Sequence, residues 1–172
     1  MRRHLYAGHQ VKFTEPTHPG DYTYYYEIDD PKIHNRVGIT YESIADAFEH
    51  NDYLAREALA LGARTHGRKK IIPFSDAVDA KTGACLEKAI LVQLAFQQTK
   101  PIFLVHGWRE KNGVKSLHAF NLVMGTDRRY LIDVSNLCLF PCDIDFQHID
   151  QNGQIATQGL PFSYGIGEIK PL

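Results

Sequence analysis

Thr82-Gly83-Ala84-Cys85-Leu86-Glu87-Lys88-Ala89-Ile90-Leu91-Val92-Gln93-Leu94-Ala95-Phe96 is the stretch whose reading decides the fold. Ile90, Leu91, Leu94 and Ala95 recur at helical spacing, and nothing breaks the run before Thr99-Lys100-Pro101, where proline cannot continue a helix. The spacing predicts a largely buried helix with Cys85 in its first turn. A cysteine there meets unpaired backbone N–H groups and the positive end of the helix dipole, which favour the reactive thiolate. Gly83 and Ala84 are small enough to let a substrate carbonyl approach, and the Cys85 N–H could contribute to an oxyanion hole. Taken alone, Cys85 also reads as a small buried hydrophobe, as free cysteines often are.

The sequence after Pro101 changes that balance. The period becomes that of strands over Ile102 to Trp108, Leu117 to Met124 and Arg129 to Val134, with Asn112-Gly113 and Gly125-Thr126-Asp127 as turn signals. His118 interrupts an apolar strand and Asp133 ends the next. Singly, the first is a common core residue and the second a common turn former. An even-numbered loop centred on Gly125-Thr126 would pair Leu122 with Arg129 and set His118 opposite Asp133. An even loop centred one residue later leaves the two diagonal on one face, whereas an odd loop puts them on opposite faces. An imidazole oriented by a carboxylate is the second half of a thiol–imidazole–carboxylate triad of Cys85, His118 and Asp133.

The blocks Thr82 to Leu91, Leu117-His118-Ala119-Phe120 and Tyr130-Leu131-Ile132-Asp133 resemble the Cys, His and Asp blocks of the transglutaminase-like superfamily. The resemblance covers about residues 70–136 and fits compact bacterial members better than the large animal crosslinking enzymes. It implies an α+β, papain-like core, with N-terminal helices and a buried cysteine helix packed on an antiparallel sheet that carries His118 and Asp133. It departs from the family at Phe120, where Trp is common, and at Ala84 and Leu86, where an acidic neighbour of the cysteine is frequent. No upstream side chain is assigned to the oxyanion position. Tyr130-Leu131-Ile132-Asp133-Val134 also resembles the aspartate strand of arylamine acetyltransferases, but their arginine-glycine-glycine lead-in to the cysteine is missing.

A chain of 172 residues suits a single domain spanning 1–172, and 44% hydrophobic with 23% charged residues is an ordinary globular composition. A net charge of −1 argues against nucleic acid or an anionic membrane as partner, and Arg68-Lys69-Lys70 beside Gly67 reads as a solvated loop. No apolar run suits a bilayer span, Met1-Arg2-Arg3 does not lead into a signal peptide, and three cysteines leave at least one free thiol. A cytoplasmic protein is expected.

Turn formers crowd residues 1–40, which read as a loop-rich arm with one strand, the tyrosines between Tyr22 and Tyr26 filling core and edge positions. Ile44, Ala47 and Phe48 begin a helical stripe that Tyr53, Leu54, Ala58 and Leu61 continue beyond a stop and restart at Asn51-Asp52. Ile71-Ile72-Pro73-Phe74 reads as an extended linker. From Ser135 the pattern weakens to loops with one or two short strands, and Gly165-Ile166-Gly167 reads as a turn rather than a dinucleotide fingerprint.

Cys138, Cys142 and His148 offer three zinc ligands without a fourth, so simple packing is the default, with a Cys138–Cys142 disulfide requiring a turn at Phe140-Pro141. Asp143, Asp145 and Asp150 lack the glycine and terminal glutamate of a calcium loop. No cofactor or metal is expected. Trp108 and the tyrosines are candidates for a cleft, though core roles are commoner for such residues.

The expected function is cysteine-dependent acyl transfer at a peptide or protein amide, with hydrolysis favoured because water needs no second binding site. Transfer to an amine (a transglutaminase or acyltransferase) and a non-catalytic peptide-binding module on the same fold are the alternatives. Nothing in the sequence sets an oligomeric state.

Overall fold

The computed structural model describes residues 10–14, 21–126, 129–136, 138–141, 154–155 and 162–170. Their elements run β1 (Gln10–Thr14), β2 (Thr23–Glu27), α1 (His34–Val37), α2 (Tyr41–Ala45), α3 (Tyr53–Leu61), β3 (Arg64–His66), β4 (Lys69–Pro73), α4 (Phe74–Asp79), α5 (Cys85–Phe96), β5 (Ile102–Lys111), β6 (Val114–Met124), β7 (Arg129–Asp133), β8 (Cys138–Pro141), β9 (Gln154–Ile155) and β10 (Phe162–Lys170). A short 3₁₀ turn, Val134–Asn136, follows β7. The class is mixed α+β. One sheet has the order β1-β2-β4-β3, with β2 and β4 parallel; the other, β8-β7-β6-β5-β10-β9, is antiparallel throughout.

Local chemistry fixes several boundaries. Thr40 caps α2 reciprocally with Ser43, and the Asp52 carboxylate accepts from the Ala55 N–H at the start of α3, which is the restart expected at Asn51-Asp52. Asn112 and Gly113, with φ of 53° and 76°, make the two-residue turn that pairs Lys111 with Val114 and sets the β5–β6 register.

Four sequence expectations in the amino-terminal half need correction. Residues within 1–40 are not an arm with one strand: β1 and β2 are both in the first sheet, and Val11, Tyr26, Ile28 and Ile33 are buried in the main core. Ile71 and Ile72 do not form a linker; they are the buried centre of β4, which borrows partners from β2 and β3 and leads directly into α4. Lys69 and Lys70 belong to that strand rather than a loop, with their ammonium groups over the rings of Tyr25 and Tyr22. The apolar stripe of α3 faces outward, with Tyr53, Leu54 and Leu61 exposed, because the inward side is used by Ala60 and the side chain of Arg56.

The carboxy-terminal correction bears on the site. Gly165 and Gly167 are not a turn but lie within β10, a nine-residue strand beside β5. Glycine is needed there for close approach: a Cβ at Gly165 would sit 1.9 Å from the Trp108 ring, and one at Gly167 would sit 2.6 Å from the His106 carbonyl oxygen. Between Ile166 and Glu168 the register shifts, so Gly167 is the extra residue of a bulge.

Helix α5 is the centre of the main core and bonds to both sheets. Its buried residues include two polar ones, Glu87 and Gln93. The Gln93 amide donates to the Ile102 carbonyl at 2.7 Å, while Asn121 on β6 donates to the Ala89 carbonyl at 3.0 Å and to Gln93 Oε1 at 3.3 Å. These bonds fix where α5 sits along β6, one turn beyond Cys85 and three residues beyond His118. Asn121→Leu strands the buried Gln93 oxygen, and is expected to lower the unfolding free energy by about 2 kcal/mol. Urea denaturation measures it; an unchanged midpoint would deny the clamp any role in stability.

Candidate functional site

Cys85 is the first residue of α5, so its own N–H and those of the next turn lack helical partners. Ala84 precedes it with no side-chain acceptor, and the missing cap is replaced from within the helix: the Glu87 carboxylate accepts the Ala84 N–H at 2.7 Å. Gly83 makes room for that return, since a Cβ there would lie 2.6 Å from Glu87 Cβ and 2.9 Å from the Phe48 ring. Its smallness thus serves the helix start, a use the sequence reading assigned to substrate approach.

Residues 119, 121 and 123 of β6 face α5, and residues 118, 120 and 122 face the other way, toward a second cluster of Val105, Phe120, Leu122, Leu131 and Tyr164. Pairing between β6 and β7 covers Asn121–Met124 with Arg129–Ile132 and stops there. The β6 edge is therefore open at His118 and Ala119, and the N-terminus of α5 comes to it. Cys85 lies near enough to His118 and to the Ala119 backbone N–H for both to pull its thiol down.

The β6–β7 hairpin pairs Met124 with Arg129 and Leu122 with Leu131. This is the even loop centred one residue later than the first-considered register, so His118 and Asp133 are diagonal rather than opposite, and on one face. The diagonal suits a long reach: His118 Nε2 donates to Asp133 Oδ2 at 2.8 Å. Side-chain exposure is 8% for His118 and 1% for Asp133.

Two further donors converge on the same carboxylate oxygen. Tyr164 O–H, from β10, lies 2.7 Å from Asp133 Oδ2, and Asn136 Nδ2, from the 3₁₀ turn, lies 2.5 Å from it. The Tyr164 ring also meets Phe120 edge-on, with centroids 5.1 Å apart, and lies 6.2 Å from the imidazole. Among the described residues Asp133 Oδ1 is buried without a hydrogen-bond partner, so the three donors load one oxygen.

Electrostatics favour charge separation. Burial opposes the His118 cation, but the hydrogen bond to Asp133, then that to Cys85 and both charges, outweigh it and lift the imidazole to about 9. Burial also pushes the Cys85 thiol up; the His118 hydrogen bond and charge and the Ala119 N–H more than offset this, so it lies below its ordinary value. For Asp133 burial is again outweighed, by His118 first and then Tyr164 and Asn136, and its carboxyl lies below the usual range. The arrangement sets a thiol whose ionisation is favoured beside an imidazole that is protonated at neutral pH and a carboxylate held in its charged form.

The structure brings together Cys85, His118 and Asp133. Sequence reasoning missed Tyr164, Asn136 and the partners of Glu87. Glu87 carried a signal, an acid within an apolar helix, but Tyr164 sits in a glycine-rich tail that gave none. Trp108 lies on β5 with the Lys115 ammonium 4.1 Å above its ring. Cys142, His148, Asp143, Asp145 and Asp150, and the side chain of Cys138, lie outside the described residues, and so do the zinc and disulfide readings that involve them. Among the described residues no group of three or more His, Cys, Asp or Glu is placed to hold a metal ion, and no helix is long and apolar enough to cross a membrane.

Comparison with family models and with curated proteins finds no match to the chain. Among solved structures, it is similar to a crystal structure from Cytophaga hutchinsonii described provisionally as a cysteine protease, with a TM-score of 0.36 and 14% identity. The likeness covers 62% of this chain and 37% of that one.

Proposed function

We propose that the protein is a cysteine-dependent acyl-transfer enzyme of transglutaminase-like, papain-like type, acting on a peptide or protein amide by hydrolysis, with Cys85, His118 and Asp133 as its catalytic residues. The observation that carries this reading is the position of His118, whose Nε2 bonds the Asp133 carboxylate at 2.8 Å while the same buried imidazole is coupled to the Cys85 thiol at the start of α5. A histidine kept only for packing has no need of both partners, nor of a cysteine at a helix N-terminus.

The chemistry then runs in two halves. Cys85 thiolate adds to the amide carbonyl carbon; the developing oxyanion is met by the Cys85 backbone N–H, the Ala84 N–H being engaged by Glu87. Collapse breaks the C–N bond as the His118 imidazolium gives its proton to the leaving nitrogen, leaving a thioester. Neutral His118 next takes a proton from water, the hydroxide adds to the thioester, and the C–S bond breaks to restore thiolate and imidazolium with a carboxylic acid as product. An amine in place of water would give transglutamination; water is favoured because it needs no second site.

The competent form has the thiol ionised and the imidazole protonated, so kcat/KM should be bell-shaped. Its acid limb falls below the ordinary thiol value, and its base limb lies at about 9, where His118 loses its proton. Alkylation of Cys85 by iodoacetamide should follow the acid limb alone, because the thiolate persists when the imidazolium is lost. Ammonia release and amine incorporation on a mixed glutaminyl and asparaginyl peptide pool, with peptide-bond cleavage followed by mass spectrometry and Cys85→Ala as control, distinguish the outcomes. Slow alkylation of Cys85 at the rate of an ordinary thiol, with no turnover above the Cys85→Ala background, sinks the proposal.

A further inference from the structure

Two residues after the cysteine, Glu87 is fully buried and is the charged residue among the buried side chains of α5. All of its acceptor capacity near the helix start is used. Oε2 takes the Ala84 N–H at 2.7 Å and Arg56 Nη2 at 2.8 Å, and Oε1 takes the Tyr26 O–H at 2.8 Å and Arg56 Nε at 3.1 Å. The Arg56 contact is the two-pronged guanidinium–carboxylate geometry. Three separate elements, α3, β2 and α5, are thereby joined at the first turn of the cysteine helix.

A negative charge at this place works against a thiolate at Cys85: Glu87 is among the groups that push the thiol upward. A neutral side chain or a simple Ser or Thr cap would have started the helix without that cost. The presence of Arg56, itself held above its ordinary value by Glu87 despite burial and further raised by Cys85, supplies the opposing charge.

We propose that Glu87 and Arg56 form a positioning pair for Cys85, in which Glu87 ties the Ala84 backbone to fix the thiol's direction and Arg56 cancels the buried carboxylate's charge so that the thiolate is tolerated. Neither residue touches the reacting atoms; both act through Cys85. The inference rests on the acyl-transfer reading above and deepens it.

The groups that face Cys85 come from each neighbouring element. His118 and the Ala119 N–H approach from β6, Glu87 from α5 and Arg56 from α3; Tyr26 from β2 acts through Glu87, and Asp133 from β7 through His118. Tyr26 stays a neutral donor, because burial and then the Glu87 charge and hydrogen bond hold its phenol far above the ordinary value. The two members of the pair therefore pull Cys85 in opposite directions, and this sets the test.

The rate of iodoacetamide labelling at Cys85, followed by peptide mass spectrometry from pH 4 to 10, gives its titration midpoint in the wild type, Glu87→Gln, Arg56→Gln, Arg56→Lys and His118→Ala. With Glu87→Gln the Arg56 cation is unopposed, and the midpoint should fall by about one pH unit, a tenfold change in the thiolate-to-thiol ratio. Arg56→Gln should raise it by a similar amount, and Arg56→Lys, which keeps the charge, should leave it near wild type. A purely structural pair would lower thermal stability in every variant and move the midpoints together or not at all. A Glu87→Gln midpoint that stays put or rises overturns the inference, and this arm stands even where Arg56→Gln does not fold. A wild-type midpoint at the ordinary thiol value, insensitive to His118→Ala, overturns both this inference and the acyl-transfer reading; a low, His118-dependent wild-type midpoint with an unmoved Glu87→Gln overturns this one alone.

Discussion

Replacing His118 with alanine should lower amide turnover by about 10⁴-fold, since it removes the proton donor to the leaving group and the cation that stabilises the thiolate together. The two losses have separate readouts. Cys85 alkylation at neutral pH should also slow, because the hydrogen bond and charge of His118 are the leading forces holding the thiol below its ordinary value. Without them burial is opposed chiefly by the Ala119 N–H, and the midpoint moves up. Turnover should fall further than alkylation, the difference measuring the acid role alone. Equal losses in the two assays would assign His118 to thiolate stabilisation and leave the leaving group to be protonated by water.

The legible part of this molecule is the part whose signals are local. Helix α5 announces itself by period, and its start at Cys85 follows from the glycine and alanine before it. The His118–Asp133 relation was reachable because hairpin register is set by one short loop, although the register observed is the second of the two even ones. What stayed hidden depends on pairing between distant segments. The parallel β2–β4 contact turns Ile71-Ile72 from a linker into a buried strand, and no local pattern reports a partner so far away in sequence. Gly165 and Gly167 carry the residue type of turns, yet they serve close contact of β10 with Trp108 and the His106 carbonyl. On α3 the hydrophobic stripe misled for a related reason: the inward position is held by Arg56, whose worth comes entirely from Glu87.

Asp133→Asn should lower turnover by an amount on the order of 10³-fold, normalised to folded protein, with a displaced base limb as its signature. The carboxylate oxygen Oδ2 accepts from His118, Tyr164 and Asn136 at once. A carboxamide turned to keep that oxygen in place is a neutral acceptor, and it no longer stabilises the imidazolium by charge. Turned the other way, it aims N–H at three donors. In either orientation the His118 value falls from about 9 toward that of an ordinary imidazole, so the base limb of kcat/KM moves to lower pH. The effect should be smaller than that of losing His118, because the thiolate keeps the Ala119 N–H and part of the imidazole's contact. Tyr164→Phe supplies the graded case, since it removes one of the three donors and leaves the charge. The carboxylate, less well bonded, should then pair more strongly with His118, and the base limb should hold at about 9 or rise slightly while stability falls by about 1–2 kcal/mol. A base limb unmoved in Asp133→Asn would mean that the high His118 value comes from Cys85 alone, and that Asp133 serves to aim the ring rather than to charge it.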